Sequence, residues 1–308
     1  MRVAVIGVGH LGRHHARILA ATPEVELTGV ADLNAARAAE IAAAHGSTPF
    51  SDWRMLLDRV DAVTIAAPTD AHVEIAEAFL DRRVHVLVEK PMTPTTGEAD
   101  RMLALARDRG VRLAVGHTER FNPAVAAIKP MVREPRFIEV HRLGTFPERS
   151  LDIDVVFDLM IHDLDVVLDI VGGEVTGIEA VGVPVLTPRV DIANVRLRFA
   201  GGCICNLTAS RISRDRVRKI RFFQRDAYLS IDYAAQDAEV WRLVARDNGM
   251  PGIEGGKLDV AREEPLKREL DDFLDAIRTG RPPLVTGEQG RAALALAERV
   301  VERMEMTT

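Results

Sequence analysis

Residues 3–12 read Val-Ala-Val-Ile-Gly7-Val-Gly9-His10-Leu11-Gly12, an apolar run that passes straight into a G-x-G-x-x-G turn. Three glycines at this spacing work together only between a buried strand and the start of a helix. Gly7 permits the tight turn, Gly9 lets backbone come close to a pyrophosphate, and Gly12 lets the helix pack against the strand. The helix from Leu11 to about Ala21 then aims free N–H groups and the positive end of its dipole at an anion. Twenty residues after Gly12 a second apolar run, Val25–Ala31, ends in Asp32. A carboxylate at that place accepts both hydroxyls of an adenosine ribose, and it repels a 2′-phosphate. The pattern predicts a bound dinucleotide, NAD rather than NADP, with His10 and Leu11 beside it.

The first 120 residues continue the same alternation. Strands are expected at 2–6, 25–31, 61–66, 84–88 and 112–116, and helices at 11–21, 34–45, 51–58, 71–82 and 95–109. That order implies a doubly wound parallel sheet of the Rossmann type, covered on both faces. After Phe121 the texture changes. A helix over Val155–Val171 stops at Gly172-Gly173, and strand-like segments follow at 175–184, 191–199, 202–210, 217–224, 227–233 and 238–244. Several alternate apolar with polar residues, as in Val195-Arg-Leu-Arg-Phe199, which suits an open, mostly antiparallel sheet in an α+β domain. Domains are expected at 1–121, binding the dinucleotide, and 122–308, binding substrate and mediating self-association. Residues 246–263, rich in glycine, read as a loop. Helices at 266–279 and 287–305 close the chain and are candidates to pack back on the first domain.

The 308 residues carry a formal charge of −6, which gives no reason to expect nucleic acid or an anionic membrane as partner. No apolar run approaches the ~18 residues of a membrane span, and the chain enters a core strand at once, so a cytoplasmic protein is expected. The two cysteines, Cys203 and Cys205, share one face of an expected strand and read as packing residues rather than metal ligands.

Val86-Leu-Val-Glu89-Lys90-Pro91 ends a strand of the first domain in an acid and a lysine. Ligands of open α/β sheets bind outside the carboxyl ends of the strands, so Lys90 is placed to bond a substrate hydroxyl and stabilise a developing alkoxide. Pro68, Thr69 and His72 occupy a strand-to-helix turn beside the cofactor. Asp158 and His162 are four apart and share a helix face, where a histidine can take a proton near neutral pH with a carboxylate to orient it. A solvated acidic helix face is the alternative reading of that pair. His117, Glu119, Arg120, Phe121 and Asn122 form a polar cluster at a strand end and are candidate substrate contacts.

The order of Gly7/Gly9/Gly12, Asp32, Pro68-Thr69, Glu89-Lys90-Pro91, Asp158-x-x-x-His162 and the closing Ala276–Pro283 stretch resembles the glucose–fructose oxidoreductase / inositol dehydrogenase / MocA family over essentially the whole chain. The resemblance implies an NAD-dependent oxidoreductase acting on a sugar or cyclitol CH–OH group. It makes Lys90 the lysine of the family's Glu-Lys-Pro motif, His162 the catalytic histidine and Asp158 its acidic neighbour. It also implies a homodimer or homotetramer built through the second sheet. Gly116–Pro123 and Asp158–Asp165, with Ala209–Arg214, are similar to a bacterial subgroup that oxidises C3 of UDP-N-acetylglucosamine on the way to 3-amino sugars of lipid A. Arg120, Arg149, Arg211 and Arg214 are the candidate ligands of such a diphosphate. Other expectations are a dehydrogenase of inositol, a hexose or a UDP-sugar uronate, and a non-catalytic dinucleotide sensor.

Overall fold

Short apolar runs bounded by Asp, Gly and Pro become the strands of the first sheet. The computed structural model describes residues 1–146, 153–245 and 250–306, in two units: Met1–His117 with Leu266–Leu294, and Thr118–Pro265 with Ala295–Thr308. In the first unit β1 (Arg2–Ile6), β2 (Glu26–Ala31), β3 (Thr48–Phe50), β4 (Ala62–Ile65), β5 (His85–Glu89) and β6 (Leu113–Gly116) pair in the order β3-β2-β1-β4-β5-β6. Every pairing between them is parallel. The chain winds outward from β1 through β2 and β3, then crosses back to β4. The switch point therefore lies between β1 and β4, where ligands of such sheets bind. Between the strands run α1 (Gly12–Ala21), α2 (Ala35–His45), α3 (Thr69–Asp81) and α4 (Thr96–Arg109). Asn34 caps α2 by accepting from the Arg37 amide, and Thr95 with Glu98 forms a capping box on α4. Residues 51–58, expected as a helix, hold only a 3-10 turn at Trp53–Leu56 started by Asp52. The stretch is too short to propagate an α-helix.

The second unit holds a nine-stranded sheet. Its strands are β7 (Phe137–Leu143), β8 (Val175–Val183), β9 (Ile192–Phe199), β10 (Ile204–Ser210), β11 (Val217–Phe223), β12 (Ala227–Asp232), β13 (Asp237–Ala245), β14 (Pro251–Lys257) and β15 (Met304–Met306), in the order β14-β13-β12-β11-β7-β10-β9-β8-β15. Only β7–β10 and β15–β8 are parallel. Against the inner face pack α5 (Pro123–Ile128), which touches β12 and β13, and a π turn at Val156–Met160, which touches β10 and leads into α6 (Ile161–Val171).

Three strands here correct the sequence reading. β7 was not expected, because its inward row Ile138-Val140-Arg142 ends in a charge. β14 lies inside the stretch read as loop; its Gly255 lies so close to β13 that a Cβ would meet the Val240 carbonyl. The helix expected to run to 305 stops at 302, and β15 pairs with β8 instead. α7 (Pro265–Thr279) belongs to the first unit from Leu266 on, burying Leu270, Phe273 and Leu274 in one cluster with Val3, Val5, Leu19 and Val30. α8 (Gly287–Glu302) contributes to both units.

Candidate active site

In the first unit the glycine turn is built as its spacing demands. Gly7 has φ +83°, and a Cβ there would sit 2.7 Å from the Ala67 amide nitrogen; a Cβ on Gly12 would strike the Gly7 carbonyl. In front of Gly9 the nearest group to an added Cβ is Arg37 Nη1, 3.9 Å away, which leaves open the approach a pyrophosphate needs. Asp32 is held ready: Val8 N–H donates to Oδ2 at 2.9 Å and Asn34 N–H to Oδ1 at 2.8 Å. Both bonds fix the carboxylate at the end of β2 while leaving its remaining lone pairs for hydroxyls. A cavity of about 610 Å³ lies over these groups, lined by Gly7, Gly9, Asp32, Leu33, Arg37, Trp53, Arg54 and Pro68 among others. Volume, turn and carboxylate fit the adenosine and pyrophosphate of NAD. His10 is exposed at the foot of α1, its ring edge-on to His14 at 6.1 Å, and Leu11 is the residue before the first helical position.

Lys90 follows β5, half-exposed, with Pro91 buried behind it. Two struts hold this turn. Glu89, 6% exposed, faces buried His15 at 3.2 Å and accepts from the Lys90 amide at 3.3 Å. Its carboxylate fills the space over Gly116, where a Cβ would sit 2.7 Å away. His72 is 1% exposed, with Nδ1 3.0 Å from the Pro91 carbonyl and Nε2 2.9 Å from that of Ala67. It thus ties the Lys90-Pro91 turn to the loop of Pro68 and Thr69, of which Pro68 is exposed and Thr69 opens α3. Burial lowers the His72 pKa, so the ring is neutral and donates to one carbonyl at a time. From the sequence His15 reads as a packing or surface residue; it packs, and its partner Glu89, on a different element, is what the sequence could not supply.

In the second unit Asp158 lies in the π turn and His162 in the first turn of α6, both half-buried. The Ile161 amide donates to the Val156 carbonyl, five residues back. This π register replaces the plain α-helical i, i+4 stacking that the sequence implied for the pair. Single π turns of this kind are frequent at functional sites.

The polar cluster is largely framework. Arg120, 5% exposed, reaches Asp165 at 3.3 Å and Asp169 at 2.7 Å, the latter also paired with Lys129. Glu119 accepts from Arg142, which forks onto Asp163 at 2.6 and 3.0 Å. Asn122 caps α5 and donates to the Tyr233 carbonyl, Phe121 is buried, and His117 is 1% exposed. Arg211 is 1% exposed and bonded to Asp191, the Ile153 carbonyl and Thr187. Arg214 is exposed. Arg149 lies outside the described residues. Cys203 and Cys205 are free and buried, which pushes both thiols up, Cys203 to about 11. Among the described residues no cluster of three or more metal-ligating side chains occurs, and no helix is long and apolar enough to cross a membrane.

Comparison with known proteins follows the same division. Residues 1–117 match a model described as "Oxidoreductase family, NAD-binding Rossmann fold", and residues 134–229 one described as "GFO/IDH/MocA C-terminal domain". The UDP-N-acetylglucosamine 3-dehydrogenase of Acidithiobacillus ferrooxidans is 42% identical, over 97% of this chain and 96% of that protein. A solved structure of that enzyme superposes with a TM-score of 0.92, covering 99% of this chain and 97% of the other. The myo-inositol 2-dehydrogenase of Thermotoga maritima is 27% identical over 99% of this chain and 96% of its own. A levoglucosan dehydrogenase in complex with NADH and L-sorbose, 20% identical, shares the fold with a TM-score of 0.88 over 98% of this chain and 96% of that one.

Proposed function

From the premise that the chain belongs to the Gfo/Idh/MocA oxidoreductase family and is a dehydrogenase with an NAD-binding Rossmann domain, we propose that it oxidises the C3 hydroxyl of UDP-N-acetylglucosamine to the 3-keto sugar. The observation that carries this reading is the identity with an enzyme of that activity along both units, glycine turn and sheet alike. Bound NAD, held by the Gly7–Gly12 turn and Asp32, supplies the hydride acceptor. Neutral His162 takes the proton of the C3 hydroxyl, Asp158 orients the imidazole and stabilises the imidazolium that forms, and Lys90 stabilises the developing oxyanion. His15, Glu89 and His72 hold the Lys90 turn in place. Arg214 and Arg149 are the cationic contacts for the diphosphate; buried Arg120 acts through its acids.

The reaction belongs in the cytoplasm, in a homodimer or homotetramer joined through the outer face of the second sheet. The test is NADH formation from NAD with UDP-N-acetylglucosamine, its uronate, UDP-glucose, myo-inositol and glucose. An aminotransferase with glutamate withdraws the keto product. Signal with UDP-N-acetylglucosamine alone is expected. Signal only with a free polyol would reject the nucleotide sugar, and silence despite tight NADH binding would favour a sensor. His162→Ala and Lys90→Ala are expected to keep NADH affinity and lose about 10²–10⁴ in kcat, the usual worth of acid–base assistance.

A further inference from the structure

Arg211 stands among the residues whose charge suits a diphosphate, yet its surroundings describe a different task. The side chain is 1% exposed. Its Nε donates to Asp191 Oδ1 at 2.8 Å, Nη1 to the Ile153 carbonyl at 2.8 Å, and Nη2 to Thr187 Oγ at 3.0 Å. Asp191 is itself saturated with donors. Three consecutive amides, Val185, Leu186 and Thr187, converge on its Oδ2 at 2.7–2.9 Å, and the Thr187 hydroxyl donates to Oδ1. These donors hold the carboxyl well below the usual carboxylate range against its burial.

The same loop then grips the segment that carries Asp158 and His162. The Val190 amide donates to Asp154 Oδ1 at 3.0 Å, and the Val155 amide donates back to the Val190 carbonyl at 3.0 Å. The Asp154 carbonyl accepts from the amides of both Phe157 and Asp158, at 3.1 Å each, and so opens the helical segment whose next residues, Val156–Met160, take π register. A continuous chain of bonds thus runs from Asp191 through Arg211 and Ile153, and from Val190 through Asp154, to the backbone of Asp158. Every member lies in the second unit.

We propose that Asp191 and Arg211 form a buried brace that positions the Asp158–His162 segment, Arg211 being a positioning residue and not a ligand of the substrate. This rests on the assignment of His162 above. The brace holds the residues that open this helical segment, hence the direction in which Asp158 and His162 leave it. A guanidinium is required because its planar fork reaches a carboxylate, a carbonyl and a hydroxyl together; a lysine makes one such contact at a time.

The experiment compares Arg211→Lys, Asp191→Asn and the double variant in the full-length protein with NAD and UDP-N-acetylglucosamine. Each single variant is expected to lose about 10–100-fold in kcat, the usual consequence of a sub-ångström misplacement of catalytic groups. KM for the nucleotide sugar and affinity for NADH should stay within about twofold, and the double variant should resemble either single one, as for residues that act as one unit. Amide hydrogen exchange at 154–162 should rise in all three. Thr187→Val, a milder change, should move exchange and kcat in the same direction. A raised KM in Arg211→Lys with Asp191→Asn unaffected would make Arg211 a direct ligand and overturn the proposal. Unchanged exchange at 154–162 in folded variants would overturn it too, and so would a lower melting temperature with kcat intact. Failure of the functional assignment is separable: it shows as full turnover in His162→Ala, whatever the exchange rates report.

Discussion

Arg142 is buried with three charge-assisted bonds, two from its fork to Asp163 and one to Glu119, and its guanidinium lies 5.2 Å from the Tyr233 ring centroid. Burial works against its charge, and the two acids outweigh that, so its pKa is raised. Asp163 is pushed up by the same burial and drawn back by Arg142. Removing one partner of such a pair leaves the other charge buried alone, which costs about 3–5 kcal/mol, whereas replacing both can be nearly neutral. Arg142→Met should therefore unfold at clearly lower denaturant than the parent, and Arg142→Met with Asp163→Leu should recover much of the loss. Equal midpoints for parent and single variant would show that the pair carries no stability. Asp32 is a residue-scale prediction of another kind. Asp32→Ala removes the proposed acceptor of the ribose hydroxyls, so NADH binding should weaken by about 1.5–3 kcal/mol, the range for a bond to a charged group. Discrimination against NADPH should fall with it, as fluorescence titration of the two cofactors would show.

At the scale of elements, α6 carries a titratable group whose charge state bears on stability. Asp165 is pushed up to about 7, first by burial and then by neighbouring Asp169, with Arg120 opposing. Its Oδ2 is buried with no hydrogen-bond partner to favour the charged form. An unfolded Asp titrates near 3.9, so the folded state holds this proton more tightly. The stabilisation is full below about pH 4 and is lost as pH rises through about 7. Asp165→Asn removes the titration. The melting temperature of the parent should decline relative to that variant between pH 4 and 8, and a pH-independent difference would refute the assignment.

The elements also show which parts were legible. The strands of the first sheet announce themselves as apolar runs cut by glycine and acid, and Asp32 and Lys90 follow from being at their ends. β7 was hidden because Arg142 occupies an inward position whose partners, Asp163 and Glu119, are supplied by other elements. β14 was hidden by glycines that mark a close approach to β13 rather than a turn. The π register cannot be read from Asp158-x-x-x-His162, and the segment that carries it is bonded at Asp154 and Val155 to Val190, thirty-odd residues away in sequence. Arginine charge alone likewise did not separate Arg120 and Arg211, committed inside, from exposed Arg214.

At the scale of the whole molecule, the nine-stranded sheet leaves one face to be accounted for. Register places Phe137 opposite Phe223, Phe223 opposite Tyr228, and Tyr228 opposite Trp241, one aromatic row across four strands. Ring centroids are 5.7 Å apart for Phe137–Phe223 and 5.3 Å for Phe223–Tyr228. Two residues along, Leu243 faces Ile253, and these are 58% and 68% exposed, with Trp241 at 40%. Aromatic and aliphatic side chains in register on an open face mark an association surface more often than a solvated one. The proposed assembly through this face follows, since a second copy would cover the row with its own. Light scattering should then give a mass that is a multiple of the 33.8 kDa chain. Trp241→Glu with Leu243→Glu should reduce it to one chain, because burying unpaired carboxylates at a symmetric contact sets like charges against each other without a partner. NADH binding, which belongs to the first unit, should be unchanged in that variant. A variant that keeps the parent's mass would move the interface elsewhere. One that loses both assembly and NADH binding would show that the substitutions had unfolded the chain, a case that Leu243→Lys alone, at an exposed position, is mild enough to resolve.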